Sequence, residues 1–184
     1  GDWEVVDGAA AGVLRPQNGS ELGFGRLEQK LPDLPSTFEV EYEMWTSAPM
    51  LSACLLRHIP ATNLLDLLGS LSGSAKNSDP LGHRIALASL PNFELTKQGK
   101  PAGGVSMATV APFGFWFNQT TPNHTVEPNR HYKVRIIRQP QRITVFVDGE
   151  QIMSERVRDL ETGAIRFFGR GEEGTTLFVD NIKV

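Results

Sequence analysis

The sequence predicts an all-β chain folded as an antiparallel sandwich or barrel, and three observations lead to this expectation. About a dozen short segments carry apolar residues at every second position, which is the period of a half-buried strand. The chain contains 18 glycines and 12 prolines, which favour many short elements joined by turns. A length of 184 residues suffices for one core without disulfides, so we place residues 1–184 in a single domain.

The clearest of these segments begins at Phe38, from which polar and apolar residues alternate without a break. Every second residue after Phe38 is apolar. The other face carries Glu39, Glu41, Glu43 and Trp45. Because successive strand residues point to opposite faces, we expect one face of this strand in the core and the other in contact with solvent.

Two further alternating segments, 131–138 and 142–147, are joined by a turn at Pro140. The second segment ends in Asp148-Gly149, a pair typical of a type I′ turn because both residues tolerate positive φ. We therefore expect three consecutive antiparallel strands here, the last of them following the Asp148-Gly149 turn.

Other segments are strand candidates with turn residues between them. They are 3–6, 12–15, 25–31, 51–58, 84–90, 105–110, 113–117, 164–168 and 175–184. Between these segments lies one helical pattern. Leucines recur at intervals of three and four from Leu64 to Leu71, and Gly69 is a typical helix terminator. We expect at most one or two helical turns there.

Charge and cysteine content exclude several classes of protein. The formal net charge is −3 and the basic residues are spread along the chain, so we expect no nucleic-acid partner. No run of about 18 apolar residues occurs, so we expect no membrane span. The single cysteine, Cys54, cannot form an internal disulfide, and its apolar neighbours indicate a buried core position.

The order of several short motifs resembles a known family of β-sandwiches. The motifs are the opening Trp3-Glu4-Val5-Val6-Asp7-Gly8, the alternating strand at 38–43, the apolar strand that ends at Arg57, the Asp148-Gly149 hairpin, and the closing Asn181-Ile182-Lys183-Val184. Together they resemble the concanavalin A-like jelly rolls, and among these the secreted bacterial 3-keto-disaccharide hydrolase domains. The resemblance covers nearly the whole chain and implies a jelly-roll sandwich, a carbohydrate partner and secretion.

Three acidic residues share the polar face of the first strand described above. Strand residues two apart are about 6.6 Å apart at Cα. Retaining glycosidases place two carboxyl groups about 5–5.5 Å apart and inverting ones about 6.5–9.5 Å apart, so this spacing permits a glycosidase pair. We take Glu41 and Glu43 as the candidate catalytic acid and base. The alternative is a solvated strand face whose acids pair with Lys133, Arg135 or Arg142 on neighbouring strands.

Two tryptophans and one arginine are candidates for binding a sugar. Trp45 continues the polar face that carries the acids, and an exposed ring beside carboxylates suits a pyranose, unless a loop covers it. Trp116 lies among three phenylalanines and faces away from them in a strand, which makes it a second stacking platform. Arg57 can clamp a carboxylate or a pair of hydroxyls, or else cap the sheet, and we group it with Glu41, Glu43 and Trp45 on one face.

No motif for a metal, cofactor or phosphate site is present. The four histidines lack the spacing of a zinc site, and no glycine-rich loop precedes a helix. Calcium is the one ion left open, because several aspartates are available. Otherwise we expect no cofactor.

These observations leave three functions open. The first is a glycoside hydrolase similar to the 3-keto-disaccharide hydrolases. The second is a carbohydrate-binding or adhesion module without catalysis, and the third is a structural sandwich within a larger assembly. Strand-like sequence follows directly after Gly1, so we expect that an export leader has been removed and that the protein works in the periplasm, at the cell surface or outside the cell.

Overall fold

A computed structural model describes residues 2–6, 8–16, 22–30, 34–58, 82–88, 104–111, 114–121, 124, 126–157, 159 and 161–184. These residues form fourteen strands and no helix, hence none with the length and hydropathy of a membrane span. The strands are β1 (Asp2–Val6), β2 (Ala9–Val13), β3 (Arg15–Pro16), β4 (Leu22–Lys30), β5 (Phe38–Thr46), β6 (Met50–Arg57), β7 (Gly82–Ala88), β8 (Gly104–Ala111), β9 (Gly114–Thr121), β10 (Tyr132–Gln139), β11 (Arg142–Val147), β12 (Glu150–Arg156), β13 (Ala164–Glu172) and β14 (Thr176–Lys183). The predicted helical turn at 64–71 lies outside the described residues.

The strands form two seven-stranded antiparallel sheets. Sheet A has the order β1-β2-β14-β5-β10-β11-β12, and sheet B the order β3-β4-β13-β6-β7-β8-β9. The last two strands of the chain lie inside the sheets, β14 between β2 and β5 and β13 between β4 and β6. Because the end of the chain is interleaved with its beginning, the predicted antiparallel jelly-roll sandwich is confirmed.

The core lies between the two sheets and takes side chains from both. Sheet A contributes the apolar face of β5, and Val40 and Met44 on it are at most 1% exposed. Sheet B contributes Cys54, Leu56 and Ile85, which are buried to the same extent. Full burial of one such side chain stabilises the fold by about 1.5–3 kcal/mol. The predicted burial of Cys54 is confirmed, and burial raises the pKa of its thiol, so the reactive thiolate is disfavoured.

The chain changes sheet at Leu14, where the sequence predicts one continuous strand over 12–15. It leaves sheet A at the end of β2 and enters sheet B in β3. Leu14 is fully buried at this crossing; its amide donates to the carbonyl oxygen of Thr175 (2.9 Å), and its carbonyl oxygen accepts from the amide of Gly174 (3.1 Å). The single-strand prediction was wrong because alternation does not report which sheet a residue joins.

The hairpin between β11 and β12 confirms the turn predicted at Asp148-Gly149. Asp148 has a φ of 51° and Gly149 a φ of 85°, and a type I′ turn needs positive values at both positions. The inward residues of β11 that precede the turn, Val145 and Val147, are buried. The turn therefore lies at one end of the sandwich, directly beside the core.

Candidate functional site

The outer side of sheet A carries three of the predicted site residues. Glu41, Glu43 and Trp45 project from β5 away from the core, and each is half-buried. Because β10 and β14 flank β5, outward side chains of three strands form one surface. We call this surface, made by the outward residues of β5, β10 and β14, the sheet A face.

Glu41 is held by two lysines. Its Oε1 lies 3.2 Å from Nζ of Lys133 and 3.6 Å from Nζ of Lys183. The hydrogen bond from Lys133, with the charges of both lysines, holds the pKa of the Glu41 carboxyl below its ordinary value. A general acid must carry a proton at the working pH, so this environment does not suit Glu41 for that role.

Glu39 forms the best-defined ion pair of the sheet A face. Arg135 donates to it twice, from Nε to Oε1 at 2.7 Å and from Nη2 to Oε2 at 2.9 Å. The same guanidinium lies 5.2 Å from the ring centroid of Phe146. The alternative interpretation of the acidic strand, acids paired with bases on a neighbouring strand, is therefore confirmed for Glu39 and Glu41.

Glu43 has a different neighbour. In the ladder between β5 and β14 it lies directly opposite Asp180, and both residues are half-buried; on its other side it lies opposite Lys133 of β10, whose Nζ is paired with Glu41. Directly opposed strand residues have Cβ atoms about 4.5–5.5 Å apart. Neither carboxylate has an ion-pair partner in the described part of the chain, although Oδ1 of Asp180 accepts a hydrogen bond from the amide of Asn181 (2.7 Å). Two such carboxylates favour a ligand that donates hydrogen bonds.

Trp45 lies in the middle of a stack of three rings. The His131 ring is 4.0 Å away at an angle of 12°, and the Phe178 ring is 5.0 Å away at 3°, measured between centroids. Both faces of the indole are therefore covered by side chains. A sugar cannot stack on the faces of Trp45 without displacing one of them, so the residue offers a ligand only the edge of its ring.

Arg57 lies outside the sheet A face. It belongs to β6 in sheet B, where it pairs with Gly82 on one side and Ala164 on the other. Grouping Arg57 with the three β5 residues was therefore wrong. The reason is that residues 47–49 carry the chain from one sheet to the other, so neighbouring segments of sequence lie on opposite sides of the sandwich.

The outer side of sheet B carries further arginines with Arg57. Arg84 and Arg166 lie in one row of the ladders, on either side of Leu55. Arg84 is 7% exposed and Leu55 is 2% exposed. The middle of this side is thus buried and does not form an open groove.

Trp116 lies in β9, at the edge of sheet B, where its backbone is paired with Thr109 of β8. The environment of its side chain lies outside what the structure describes. The role of Trp116 as a stacking platform stays a prediction.

A pocket of about 210 Å³ lies at the end of the sandwich next to the Asp148-Gly149 turn. We call it the end pocket. Its lining consists of Leu87, Val105, His124, Val126, Arg130, Tyr132, Val147, Asp148 and Glu150. The apolar members come from both sheets and are buried, whereas the charged members form a rim that is exposed. None of the residues that the sequence analysis selected lines this pocket.

Hydrogen bonds fix the rim of the end pocket. Asp148 accepts from the amide of Lys133 at Oδ1 (2.9 Å) and from Nη2 of Arg130 at Oδ2 (3.2 Å). Arg130 also lies 4.8 Å from the ring centroid of Tyr132, whose hydroxyl accepts from the amide of Glu127 (2.8 Å). Throughout the described residues, no group of three or more His, Cys, Asp and Glu side chains is placed to hold a metal ion.

Solved structures share this architecture over most of the chain. Carbohydrate binding module CBM66 from Bacillus subtilis superposes with a TM-score of 0.56 and 12% identity, over 99% of this chain and 89% of that one. A native glycosidic hydrolase gives 0.58 and 12%, over 98% and 78%. A toad ovary galectin in complex with thio-digalactose gives 0.53 and 15%, over 86% and 96%. This chain has the concanavalin A-like fold.

No protein-family model matches the sequence, and no curated protein matches it either. The concanavalin A-like fold is therefore recognised from the structure and from the order of motifs, and not from a sequence match to a known protein. At 12% to 15% identity, these superpositions show the arrangement of strands only. The chemistry of each face has to be inferred from the residues of this chain.

The concanavalin A-like sandwich brings together residues that sequence analysis missed. Asp180 reaches Glu43, and Phe178 reaches Trp45, because β14 pairs with β5. Alternation alone marks both β14 residues as outward, but it gives no information on which strand lies next to them. The one sequence signal near the end pocket is the Asp148-Gly149 turn, which predicts a hairpin and gives no information on a pocket.

Proposed function

We propose that this chain is a carbohydrate-binding domain that holds a glycan on the sheet A face. The observation that carries the proposal is the opposed pair Glu43 and Asp180, two half-buried carboxylates without ion-pair partners in the described part of the chain. The rings of Trp45 and Phe178 lie two pairs further along the same ladder, on the same outer side. Sugar hydroxyls donate to carboxylates, and ring edges supply apolar contact, which is the combination that carbohydrate sites need.

The structural neighbours support this class of ligand. CBM66 is named as a carbohydrate binding module, and the toad galectin was solved with thio-digalactose. The superposition with CBM66 includes 99% of this chain and 89% of that one.

Binding without catalysis also agrees with the state of Glu41. Its lowered pKa keeps the carboxyl ionised, and Lys133 and Lys183 stay beside it. A binding site uses these groups as they are, because charged acceptors and ammonium donors both form hydrogen bonds with sugar hydroxyls. A hydrolase with Glu41 as its general acid would need the opposite protonation state.

Glycoside hydrolysis at the same face is the second candidate, and one observation favours it. The Cβ separation expected for the directly opposed Glu43 and Asp180, about 4.5–5.5 Å, is compatible with the 5–5.5 Å between carboxyl groups of retaining glycosidases. Specificity for 3-keto-disaccharides and secretion of the protein rest on the resemblance of motifs, and we propose them only together with this candidate.

The binding proposal is tested by titrating the protein calorimetrically with a panel of neutral oligosaccharides. Glu43→Gln and Asp180→Asn each remove one charged acceptor while keeping the shape of the side chain. A hydrogen bond to a charged group contributes about 1.5–3 kcal/mol, so we expect each variant to bind at least tenfold more weakly. Glu172→Gln, on the exposed end of β13 in sheet B, is the matched control and keeps full affinity.

Unchanged affinity in both variants would contradict binding at the sheet A face. Release of product from the same oligosaccharides, and from 3-keto-glucosides, separates the two candidate functions. If the wild type turns over a substrate and both variants lose that turnover, hydrolysis by Glu43 and Asp180 replaces simple binding. If no product forms while the glycan binds, the domain is a binding module.

A further inference from the structure

The end pocket has the size of a site for one small ring. Its volume is about 210 Å³, whereas sites for drug-sized ligands occupy about 300–1,000 Å³. It is bounded by Leu87 and Val105 of sheet B and by Tyr132 and Val147 of sheet A, so both layers of the sandwich contribute to its walls. A continuous glycan chain needs an open groove, but this shape accepts a free monosaccharide or the last residue of a chain.

The walls combine an apolar floor with hydrogen-bonding groups at the mouth. The floor residues that keep some accessible surface are Tyr132 (4% exposed) and Val147 (8% exposed), whereas Arg130, Asp148 and Glu150 are largely exposed. A sugar ring has the matching division, because its C–H groups are apolar and its hydroxyls lie around the edge. The floor therefore contacts the ring, and the mouth contacts the hydroxyls.

The mouth is set in place before any ligand arrives. Asp148 is fixed by the amide of Lys133 and by Arg130, and Arg130 lies over the ring of Tyr132. The amide of Asn129 donates to the carbonyl oxygen of Thr46 (2.7 Å), which ties the neighbouring segment to β5. A ligand that binds to groups already held in position loses less affinity to their ordering.

The charges at the mouth select against acidic sugars. Arg130 is already paired with Asp148. Glu150 has no ion-pair partner among the described residues, so the rim carries two carboxylates and one guanidinium. A ligand that brings its own carboxylate or phosphate is repelled by Glu150, whereas a neutral polyol donates hydrogen bonds to it.

We propose that the end pocket is a second binding site, separate from the sheet A face, that takes a single neutral sugar ring. The assignment to carbohydrate rests on the proposed function, whereas the site and its preference for an uncharged ring rest on the pocket itself. Asp148 and Glu150 accept hydroxyl hydrogens, Arg130 donates, and the apolar floor packs against the ring.

The test is a titration with D-glucose, D-galactose, D-mannose and D-glucuronate, in which binding is measured by ligand-observed NMR. Val147→Phe fills the pocket from its floor, and Asp148→Asn removes a charged acceptor while keeping a side chain that tolerates positive φ. We expect at least one neutral sugar to bind the wild type, and both variants to bind it at least tenfold more weakly. Glu172→Gln, on the exposed end of β13 in sheet B, is the matched control and binds that monosaccharide like the wild type.

A further variant tests the charge argument without risk to the fold. Glu150→Gln removes the unbalanced carboxylate, and we expect it to bind D-glucuronate about threefold to tenfold more tightly than the wild type does. If this variant leaves D-glucuronate affinity unchanged, the charge preference is overturned. If Val147→Phe unfolds at the same temperature as the wild type, the variant is folded and its loss of binding reflects a filled pocket.

The outcomes separate this inference from the proposed function. If oligosaccharides bind and Glu43→Gln weakens them, but Val147→Phe and Asp148→Asn leave monosaccharide binding unchanged, the end pocket is overturned and the proposed function stands. If Val147→Phe and Asp148→Asn weaken monosaccharide binding, but Glu43→Gln leaves oligosaccharide binding unchanged, the end pocket stands and binding at the sheet A face is overturned. If no carbohydrate binds at all, both are overturned.

Discussion

Three glutamates at alternate positions of β5 have three different environments, because the neighbouring strands supply different partners. Glu39 faces Arg135, Glu41 is held by two lysines, and Glu43 lies opposite Asp180. The sequence predicts that these side chains point outward, since alternation determines the face. It cannot predict their individual partners, because register and strand order depend on pairing between distant segments.

The ion pairs of Glu41 give the protein a pH dependence that a single substitution reveals. Since the pKa of Glu41 is lowered from its ordinary 4.5, the ionised form stabilises the fold above that value, and this contribution is lost as the pH falls through the lowered pKa. We expect Glu41→Gln to be less stable than the wild type at neutral pH, and the difference to shrink below about pH 4.5.

Urea unfolding at a series of pH values measures this difference. Glu43→Gln is the matched control on the same strand. Because its carboxylate has no ion pair, lies opposite Asp180, and has on its other side a Lys133 that is paired with Glu41, we expect that substitution to leave stability at neutral pH nearly unchanged. A difference between the wild type and Glu41→Gln that stays constant down to about pH 3 would count against the role of the lysines.

At the scale of single strands and turns, the predictions were correct where the residues that determine the structure are adjacent in sequence. The Asp148-Gly149 turn and the alternation of β5, β10 and β11 follow from residues adjacent in sequence, and the structure contains them as predicted. The crossing at Leu14 was missed, because the hydrogen bonds that fix it come from residues near the other end of the chain. Local pattern cannot report such a contact.

The hairpin turn makes a stability prediction at this scale. Gly149 has a φ of 85°, where a residue with a Cβ atom is strained, so we expect Gly149→Ala to lower the free energy of unfolding by about 1–2 kcal/mol. Gln151→Ala, an exposed position in β12 of the same hairpin, should change it by less than about 0.5 kcal/mol. Equal effects of the two substitutions in denaturant unfolding would show that the turn conformation does not limit stability.

For the whole molecule, composition and alternation predicted an all-β fold, and the order of motifs predicted a jelly roll, both of which the structure confirms. Which outward residues share a surface could not be predicted. Arg57 was grouped with Trp45, yet the two lie in different sheets. An alternating pattern fixes inward and outward directions within one strand, but a sandwich has two outer sides, and only the strand order assigns each residue to one of them.

The most direct test of the account is an NMR titration of isotope-labelled protein with the oligosaccharide that it binds most tightly, followed amide by amide. We predict that the largest shifts occur in β5 and β14, around Glu43, Trp45, Phe178 and Asp180, while Arg57 and Arg84 in sheet B change little. Shifts confined to the outer side of sheet B, or the absence of any shift at saturating glycan, would contradict the claim that the sheet A face binds carbohydrate.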